Sequence, residues 1–300
     1  MGIVVRPLVD GKMFGAEILG ADLWSGIPED EFSKVREALD QFGVVVLRDQ
    51  IRDGVVIGET EQLRLATQFG PLDKSYVPAA VSKAHNRSGG GANYGEVSNI
   101  SADGGLWSED DRRRWFLMAN FMWHSDTSYK KIPTWVTILT CHVTPPVDGN
   151  TEFADMRAAW DDLPQEMKDR VQGLQAEHSI FHSRGMSGFT SFTDEDRAAA
   201  PPVPQPLVRT NMRTGRSSLY LSAHASHVLG LPEEESQKLL AELTDFATRP
   251  QYVYSHAWRP GDVVLWDNGG TMHRATPYEE FKFKRVLKRT SVNELAPLIA

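Results

Sequence analysis

Two histidines and one aspartate form the pattern with the clearest chemical meaning in this 300-residue sequence. His124 and Asp126 are separated by one residue, so in a β-strand both side chains would point to the same face. His273 follows far downstream, after residues 261–268, which are typical of a turn and a short strand. Two imidazoles and one carboxylate on one side of a metal ion leave its other side open, which suits non-haem Fe(II). These three residues are therefore candidate ligands of an iron ion.

The His-x-Asp pair carries little weight by itself. Nine histidines and 40 acidic residues would give roughly one His-x-Asp or His-x-Glu by chance. The surroundings add weight, because a stretch rich in Thr, Val and Ile follows at 135–142 and predicts a strand. Arg285 lies one predicted strand beyond His273, where a basic residue could pair with a dicarboxylic cosubstrate.

Composition excludes several classes of protein. The formal net charge is -8 and the pI about 5.6, which argues against nucleic acid and anionic membranes as partners. Cys141 is the one cysteine, so no intrachain disulfide is possible, as in a reducing cytosol. Residues 1–20 do not resemble a signal peptide, and no run of about 18 apolar residues occurs. We expect a cytoplasmic protein that acts on a small molecule and forms a homo-oligomer.

The secondary-structure pattern favours a mainly β fold with helical insertions. Two stretches, about 73–111 and 182–206, are irregular and rich in polar residues, Gly or Pro, so we interpret them as long loops. Strand and helix do not alternate regularly, which disfavours a doubly wound parallel sheet. A double-sheet barrel flanked by helices, in one domain over 1–300, fits better. The predicted helices are 28–42, 59–68, 155–163, 164–174 and 232–247, and the predicted strands are 44–47, 97–100, 135–142, 217–222, 252–256, 263–266 and 285–292.

Ordered motifs along nearly the whole chain carry a family resemblance. They include Trp123-His124-Ser125-Asp126-Thr127-Ser128, the segment 151–159, the segment 206–210, Ala223-His224-Ala225-Ser226-His227-Val228 and the segment 266–274. With these motifs the sequence resembles the taurine/2,4-dichlorophenoxyacetate dioxygenase family. It is most similar to the branch that acts on aryloxyalkanoates.

The resemblance implies a fold, a cofactor and a set of site residues. The fold is a double-stranded β-helix, a jelly-roll or cupin-like core, and His124, Asp126 and His273 hold Fe(II). The keto acid end of 2-oxoglutarate chelates the iron, and its far carboxylate meets residues that match Thr151 and Arg285 here. From the residues alone, Arg285 in the basic run 282–289 would rather be a solvated surface charge.

The substrate side is less well defined by the sequence. Lys284 and Arg285 are neighbours, and only one of them can face inward from a strand. We choose Arg285 for 2-oxoglutarate and Arg289, on the same face, for the anion of the substrate. His224, rather than His227, is expected to touch the substrate carboxylate, although a loop with satisfied imidazoles is the simpler interpretation. Asn99 is expected to line the substrate pocket or to cap a turn.

The implied reaction consumes O2 and 2-oxoglutarate and gives succinate and CO2. An aryloxyacetate hydroxylated beside its ether oxygen would form a hemiacetal that collapses to a phenol and glyoxylate. The loops at about 73–111 and 182–206 are candidate lids. A sulfonate, an alkyl sulfate or a natural plant aromatic acid could replace the aryloxyalkanoate as substrate. The less favoured classes of protein are a zinc hydrolase with the same ligands and a non-catalytic jelly-roll binding protein.

Overall fold

The computed structural model describes residues 2–73, 93–101 and 103–296. In these residues the helices are α1 (Glu29–Phe42), α2 (Glu59–Phe69), α3 (Arg112–Met118), α4 (Met156–Asp162), α5 (Gln165–Val171), α6 (Ile180–Met186), α7 (Asp194–Ala199) and α8 (Glu233–Ala247). The strands are β1 (Val4–Pro7), β2 (Ala16–Leu19), β3 (Val44–Leu47), β4 (Ile51–Arg52), β5 (Val55–Val56), β6 (Gly95–Ser98), β7 (Thr134–Val143), β8 (Thr151–Asp155), β9 (Gln175–His178), β10 (Val203–Pro206), β11 (Val208–Thr210), β12 (Ser217–Leu219), β13 (Ala225–Val228), β14 (Val253–His256), β15 (Val263–Asp267), β16 (Thr271–Ala275) and β17 (Val286–Asn293).

Two facing sheets form the core of the fold. The larger sheet has the order β1-β2-β3-β15-β7-β17-β6, and the smaller one has the order β14-β8-β16. Their pairings are antiparallel apart from β2 with β3. Phe153 of β8 packs against Trp266 of β15 with ring centroids 5.3 Å apart, which joins the sheets at their centre. This arrangement confirms the predicted jelly-roll class.

Alternate residues of the central strands face opposite sides of the larger sheet. In β3, Val45 and Leu47 pack in the cluster that includes α1 and α2, whereas Val44 and Val46 pack between the sheets. β15 repeats this alternation. A strand that is buried on both faces has a continuous apolar sequence, and such runs predicted β3 and β15. Every residue of β3 and β15 is buried.

The same alternation sets which polar side chains can reach the space between the sheets. Leu139 and Cys141 of β7 and Leu287 of β17 belong to the cluster between the sheets. Residues an even number of positions away from them, such as Thr137 and Arg289, therefore point to the same side. Thr140 and Thr290 point to the other side, where both hydrogen-bond to Gln62 of α2.

One prediction of secondary structure is wrong. Residues 182–206 do not form one loop, because α6, α7 and β10 occupy most of this stretch. The two helices begin at side-chain caps, Ser179 and Thr193, and both are too short to show a periodic apolar pattern in the sequence. His124 and Asp126 do not lie in a strand, since His124 makes an isolated bridge and Asp126 starts a turn.

The predicted loop at about 73–111 lies partly outside the described residues, because Ser88 to Gly91 and their neighbours at 74–92 are not among them. Within the described part, β6 pairs with the edge of β17, and Asn99 follows it. The predicted strand at 97–100 is therefore shifted by two residues toward the N-terminus.

Leu39→Ala should lower the free energy of unfolding by about 3 kcal/mol, because Leu39 is buried in the cluster between α1 and the larger sheet. Urea denaturation followed by circular dichroism measures this change. Glu37→Ala, on the exposed face of the same helix, is the matched control and should change stability by less than about 0.5 kcal/mol. Equal losses in the two variants would contradict this description of the core.

Candidate active site

Backbone pairing brings the two histidines of the candidate metal site together. The His124 N–H donates to the His273 carbonyl at 3.0 Å, and the His273 N–H donates to the His124 carbonyl at 2.8 Å. This isolated bridge attaches the segment after the 3-10 turn Ala119–Phe121 to β16. The imidazole rings consequently lie side by side, with centroids 4.2 Å apart.

Asp126 is held in place by three different groups. Its backbone N–H donates to Asn268 Oδ1 at 3.0 Å, and its Oδ2 accepts from Thr137 Oγ1 at 2.7 Å. Asn268 Nδ2 donates to the same Thr137 hydroxyl at 2.9 Å. Arg289 Nη2 lies 3.1 Å from Asp126 Oδ1. The carboxylate is therefore fixed by strands of the larger sheet and by the turn after β15.

The three side chains suit a divalent metal ion. Donor atoms of His124, Asp126 and His273 all lie within 4.8 Å of one another, and all three residues are buried. Nδ1 of His124 lies 2.8 Å from the Met122 carbonyl oxygen, so it carries the proton of a neutral ring and leaves Nε2 free to bind a metal. Two imidazoles and one carboxylate on one side form the donor set of non-haem iron sites.

Electrostatics keep these ligands in the protonation states that metal binding needs. Burial lowers the pKa of His124, and burial together with the neighbouring His124 lowers the pKa of His273 well below its ordinary value. Both rings are thus neutral at pH 7. Burial alone would raise the pKa of Asp126, but Arg289, followed by the two histidines, outweighs burial and holds this pKa below its usual range.

Arg285 and Thr151 lie together, as predicted for the far carboxylate of a cosubstrate. Arg285 immediately precedes β17 and is buried. Its Nε donates to the Gly149 carbonyl at 3.0 Å, and its Nη2 lies 3.4 Å from Thr151 Oγ1. Trp258 Nε1 donates to the same hydroxyl at 3.0 Å. Lys284 is exposed and donates to the Gly104 carbonyl, so Arg285 is the inward residue of the pair.

No carboxylate in the described part of the chain pairs with Arg285. Burial lowers the pKa of its guanidinium, as expected for a cation that is removed from water. The residues outside the described ranges contain no Asp or Glu side chain that could serve instead. Arg285 also lines a pocket, together with Tyr278, Asn120 and Ser98. A bound carboxylate would complete the partners of this cation.

Asn99 has a supporting position in the structure. Its Nδ2 donates to the carbonyls of Glu280 and Phe283 at 2.7 and 2.8 Å, and its Oδ1 accepts the Arg285 N–H at 2.8 Å. The amide thus joins the end of β6 to the segment that leads into β17. Its contribution is to fix the backbone of Arg285, and its role toward the substrate stays a prediction.

Of the two candidate substrate histidines, His224 lies near the metal ligands. Its ring is buried, and its centroid lies 6.2 Å from that of His124 and 4.8 Å from that of Tyr129. Nδ1 of His224 hydrogen-bonds to Ser183 Oγ at 2.7 Å. His227 is partly exposed, and its Nδ1 lies 3.9 Å from Glu177 Oε1. The geometry agrees with the choice of His224, and substrate contact stays a prediction.

The sequence did not indicate two further residues beside the site. Tyr129 is buried against His224, and burial raises its pKa to about 12. Arg184 of α6 is buried and acts electrostatically on His124 and His224. Tyr129 directly follows the Trp123 to Ser128 motif, and this position is the one feature of the sequence that could have placed it near the site. Arg184 had no such signal, because it lies in a stretch that we interpreted as a loop.

Comparison with known proteins identifies the family. The model of the taurine catabolism dioxygenase TauD, TfdA family matches residues 5–291. The chain belongs to this family. It is 36% identical over 291 residues to the alpha-ketoglutarate-dependent 2,4-dichlorophenoxyacetate dioxygenase of Cupriavidus pinatubonensis, covering 97% of this chain and 98% of that protein. It is 35% identical to the (S)-phenoxypropionate/alpha-ketoglutarate-dioxygenase of Sphingobium herbicidovorans, over 89% of this chain and 87% of that one.

A solved structure of this family has the same fold over the full length. The crystal structure of AAD-2 in complex with Mn(II) and N-oxalylglycine matches this chain with a TM-score of 0.88 and 36% identity, covering 100% of both chains. The predicted family, the fold and the dioxygenase class are confirmed. Dependence on a metal and on 2-oxoglutarate is supported by the relatives and by the His124, Asp126 and His273 cluster. No helix in the described ranges is long and apolar enough to cross a membrane.

Thr137→Val should weaken Mn(II) binding by about 10-fold, because it removes the hydroxyl that donates to Asp126 and accepts from Asn268. Calorimetric titration of the purified protein with Mn(II) measures this affinity. Thr140→Val is the matched control on the same strand, since its hydroxyl donates to Gln62 on the opposite face. Unchanged metal affinity in Thr137→Val would show that Asp126 needs no support from β7.

Proposed function

We propose that this chain is an Fe(II)- and 2-oxoglutarate-dependent dioxygenase that hydroxylates an aryloxyalkanoate at the carbon beside its ether oxygen. The observation that carries the proposal is the pairing of two features between the same sheets. One is the His124, Asp126 and His273 cluster. The other is the buried Arg285, which lacks a carboxylate among the described residues and has Thr151 beside it. Relatives that bear the names of aryloxyalkanoate dioxygenases support the substrate class.

Each group of side chains has a separate task in this reaction. His124, Asp126 and His273 hold the iron on one side, and Thr151 and Arg285 bind the far carboxylate of 2-oxoglutarate through charge-assisted hydrogen bonds. Bound iron would supply the activation of O2 that no side chain can provide. Arg289 and His224 orient the substrate anion so that the carbon to be hydroxylated faces the metal. The apolar walls from Phe153 and Trp266 exclude water from the reacting groups.

The overall reaction balances without any other reagent. One O2 molecule gives one oxygen atom to succinate and the other to the substrate, and CO2 leaves from 2-oxoglutarate. With an aryloxyacetate, the hydroxylated product is a hemiacetal. Its collapse transfers the hydroxyl proton to the ether oxygen and gives a phenol and glyoxylate.

Other substrates of the same chemistry are a sulfonate, an alkyl sulfate or a natural plant aromatic acid. Each of these is an anion that Arg289 could bind, so a substrate panel has to distinguish them. A zinc hydrolase or a non-catalytic binding protein could have the same three ligands. Neither class requires a dicarboxylate that would pair with the buried charge of Arg285.

We infer further that the stretch 182–206 acts as a lid, together with the stretch at about 73–111. In the first stretch, Phe189, Phe192 and Ala200 belong to a small apolar cluster with Phe116 and Tyr129, apart from the main core. Segments with few contacts to a core are the ones that open most easily. We also propose that the protein is a cytoplasmic homo-oligomer, a state that light scattering of the purified protein would measure.

The anaerobically Fe(II)-loaded protein should form succinate from 2-oxoglutarate when oxygen is admitted, and an aryloxy acid should increase the rate. A panel of phenoxyacetate, its dichloro form, the phenoxypropionate enantiomers, indole-3-acetate and taurine measures the preference. His124→Ala is the control, and it should abolish the stimulated rate. Stimulation by taurine alone would contradict the aryloxyalkanoate proposal, and failure to bind 2-oxoglutarate would contradict the reaction class.

Arg285→Met should raise the KM for 2-oxoglutarate by about 10- to 100-fold, because one charged partner of the far carboxylate is lost. Steady-state succinate formation at varied 2-oxoglutarate measures this effect. Lys284→Met is the matched control, since this neighbouring cation is exposed and contacts the Gly104 carbonyl instead. A larger effect in Lys284→Met than in Arg285→Met would reverse the assignment of the two residues.

A further inference from the structure

Arg184 is a buried cation without an anionic partner among the described residues. Its residue surface is 8% exposed, and its guanidinium makes no hydrogen bond or ion pair with any described residue. Residues 74–92 contain no Asp or Glu, so the stretch between the described ranges offers no acidic side chain either. Two other arginines of this protein show the contrast, because Arg157 pairs with Asp155 and Arg209 pairs with Glu294.

The immediate neighbours of Arg184 place it at the substrate side of the metal cluster. Its Cζ lies over the ring of Phe116 at 4.4 Å from the centroid. Ser183, the preceding residue in α6, hydrogen-bonds to Nδ1 of His224, whose ring is edge-on to that of His124. Phe116 belongs to the same apolar cluster as Tyr129, whose ring packs against that of His224. The residue before Arg184 and the ring beneath its guanidinium are therefore both connected to the surroundings of His224.

Arg289 alone cannot compensate the full charge of a substrate anion. Its Nη2 lies 3.1 Å from Oδ1 of Asp126, so part of its positive charge is already compensated by this carboxylate. Burial lowers the pKa of Arg184, and the charge of Arg289 lowers it further. Two guanidinium groups that repel each other in a buried space are stabilised by an anion between them.

We propose that Arg184 binds the carboxylate of the substrate together with Arg289. The flat guanidinium offers two parallel N–H donors to a carboxylate, while its face stays on the ring of Phe116. This inference rests on the proposed function and names a further residue for the substrate site. It assigns Arg285 and Thr151 to the cosubstrate and the pair Arg184 and Arg289 to the substrate, so the two carboxylates have separate cationic sites.

The test compares a charged ligand with its uncharged analogue. The Mn(II)- and 2-oxoglutarate-loaded protein is titrated calorimetrically with (2,4-dichlorophenoxy)acetate and with the corresponding primary acetamide, which has the same shape. Arg184→Met should reduce the preference for the acid over the amide by about 30-fold, since a charge-assisted hydrogen bond is lost. Arg184→Lys should recover part of this preference, and the affinity for 2-oxoglutarate should stay the same in both variants.

Arg209→Met is the matched control. Arg209 is also largely buried and stacks on an aromatic ring, that of Tyr220, but it already pairs with Glu294. This variant should keep the full preference for the acid. Equal losses of acid and amide affinity in Arg184→Met would show that the residue only packs against Phe116 and would overturn the inference.

The outcomes for the two proposals are distinct. A wild-type protein that prefers the acid strongly, with the same preference in Arg184→Met, overturns the role of Arg184 and leaves the proposed function standing. A wild-type protein that binds acid and amide equally contradicts the aryloxyalkanoate carboxylate as the ligand, and the role of Arg184 with it.

Discussion

The negative charge of Asp126 is buried between two imidazoles and one guanidinium, and the surrounding strands are arranged around it. A carboxylate that is removed from water must be compensated by hydrogen bonds and by positive charge. Thr137 and Asn268 provide the hydrogen bonds, and Arg289 provides the charge. These groups come from β7, from the turn after β15 and from β17, so the core of the larger sheet and the metal site are parts of one structure.

The buried arginines offer separate positions for the two organic ligands that we propose. Arg285 and Arg184 both lack a carboxylate among the described residues, yet their surroundings differ. Arg285 has the Thr151 hydroxyl and the Gly149 carbonyl beside it, which suits one fixed end of a small dicarboxylate. Arg184 instead lies over the ring of Phe116, and its neighbour Ser183 hydrogen-bonds to His224. These surroundings suit an acid with an aromatic group. These different surroundings favour a different ligand beside each arginine.

The sequence predicted the inward-facing cation because its signal is local. In β17, the period of two residues distinguishes Arg285 and Arg289 from Lys284 and Lys288, and the structure keeps this alternation. The apolar runs of β3, β7 and β15 were also recognisable, since both faces of these strands are buried. The family resemblance added the pairing of Thr151 with Arg285, which no local pattern indicates.

Some features depend on contacts between distant segments, and the sequence could not predict them. β16, which carries His273, is short and follows Gly269 and Gly270, and the sequence predicted no strand there. The bridge between His124 and His273 joins two segments that lie far apart in the sequence. Arg184 is a candidate because it is buried without an anionic partner among the described residues. That property can be recognised only when the positions of its neighbours are known.

The position of Arg184 in α6 connects substrate binding with the cover of the site. Ser183 and Arg184 are adjacent, so one short helix sets both the hydrogen bond to His224 and the position of a buried cation. Capping by Ser179 fixes the start of this helix, and its side chains pack in a cluster that is separate from the main core. A short helix that carries an uncompensated buried charge is stabilised when an anion binds beside it. Binding of a carboxylate to Arg184, as proposed, would therefore stabilise this helix in the position that the structure shows.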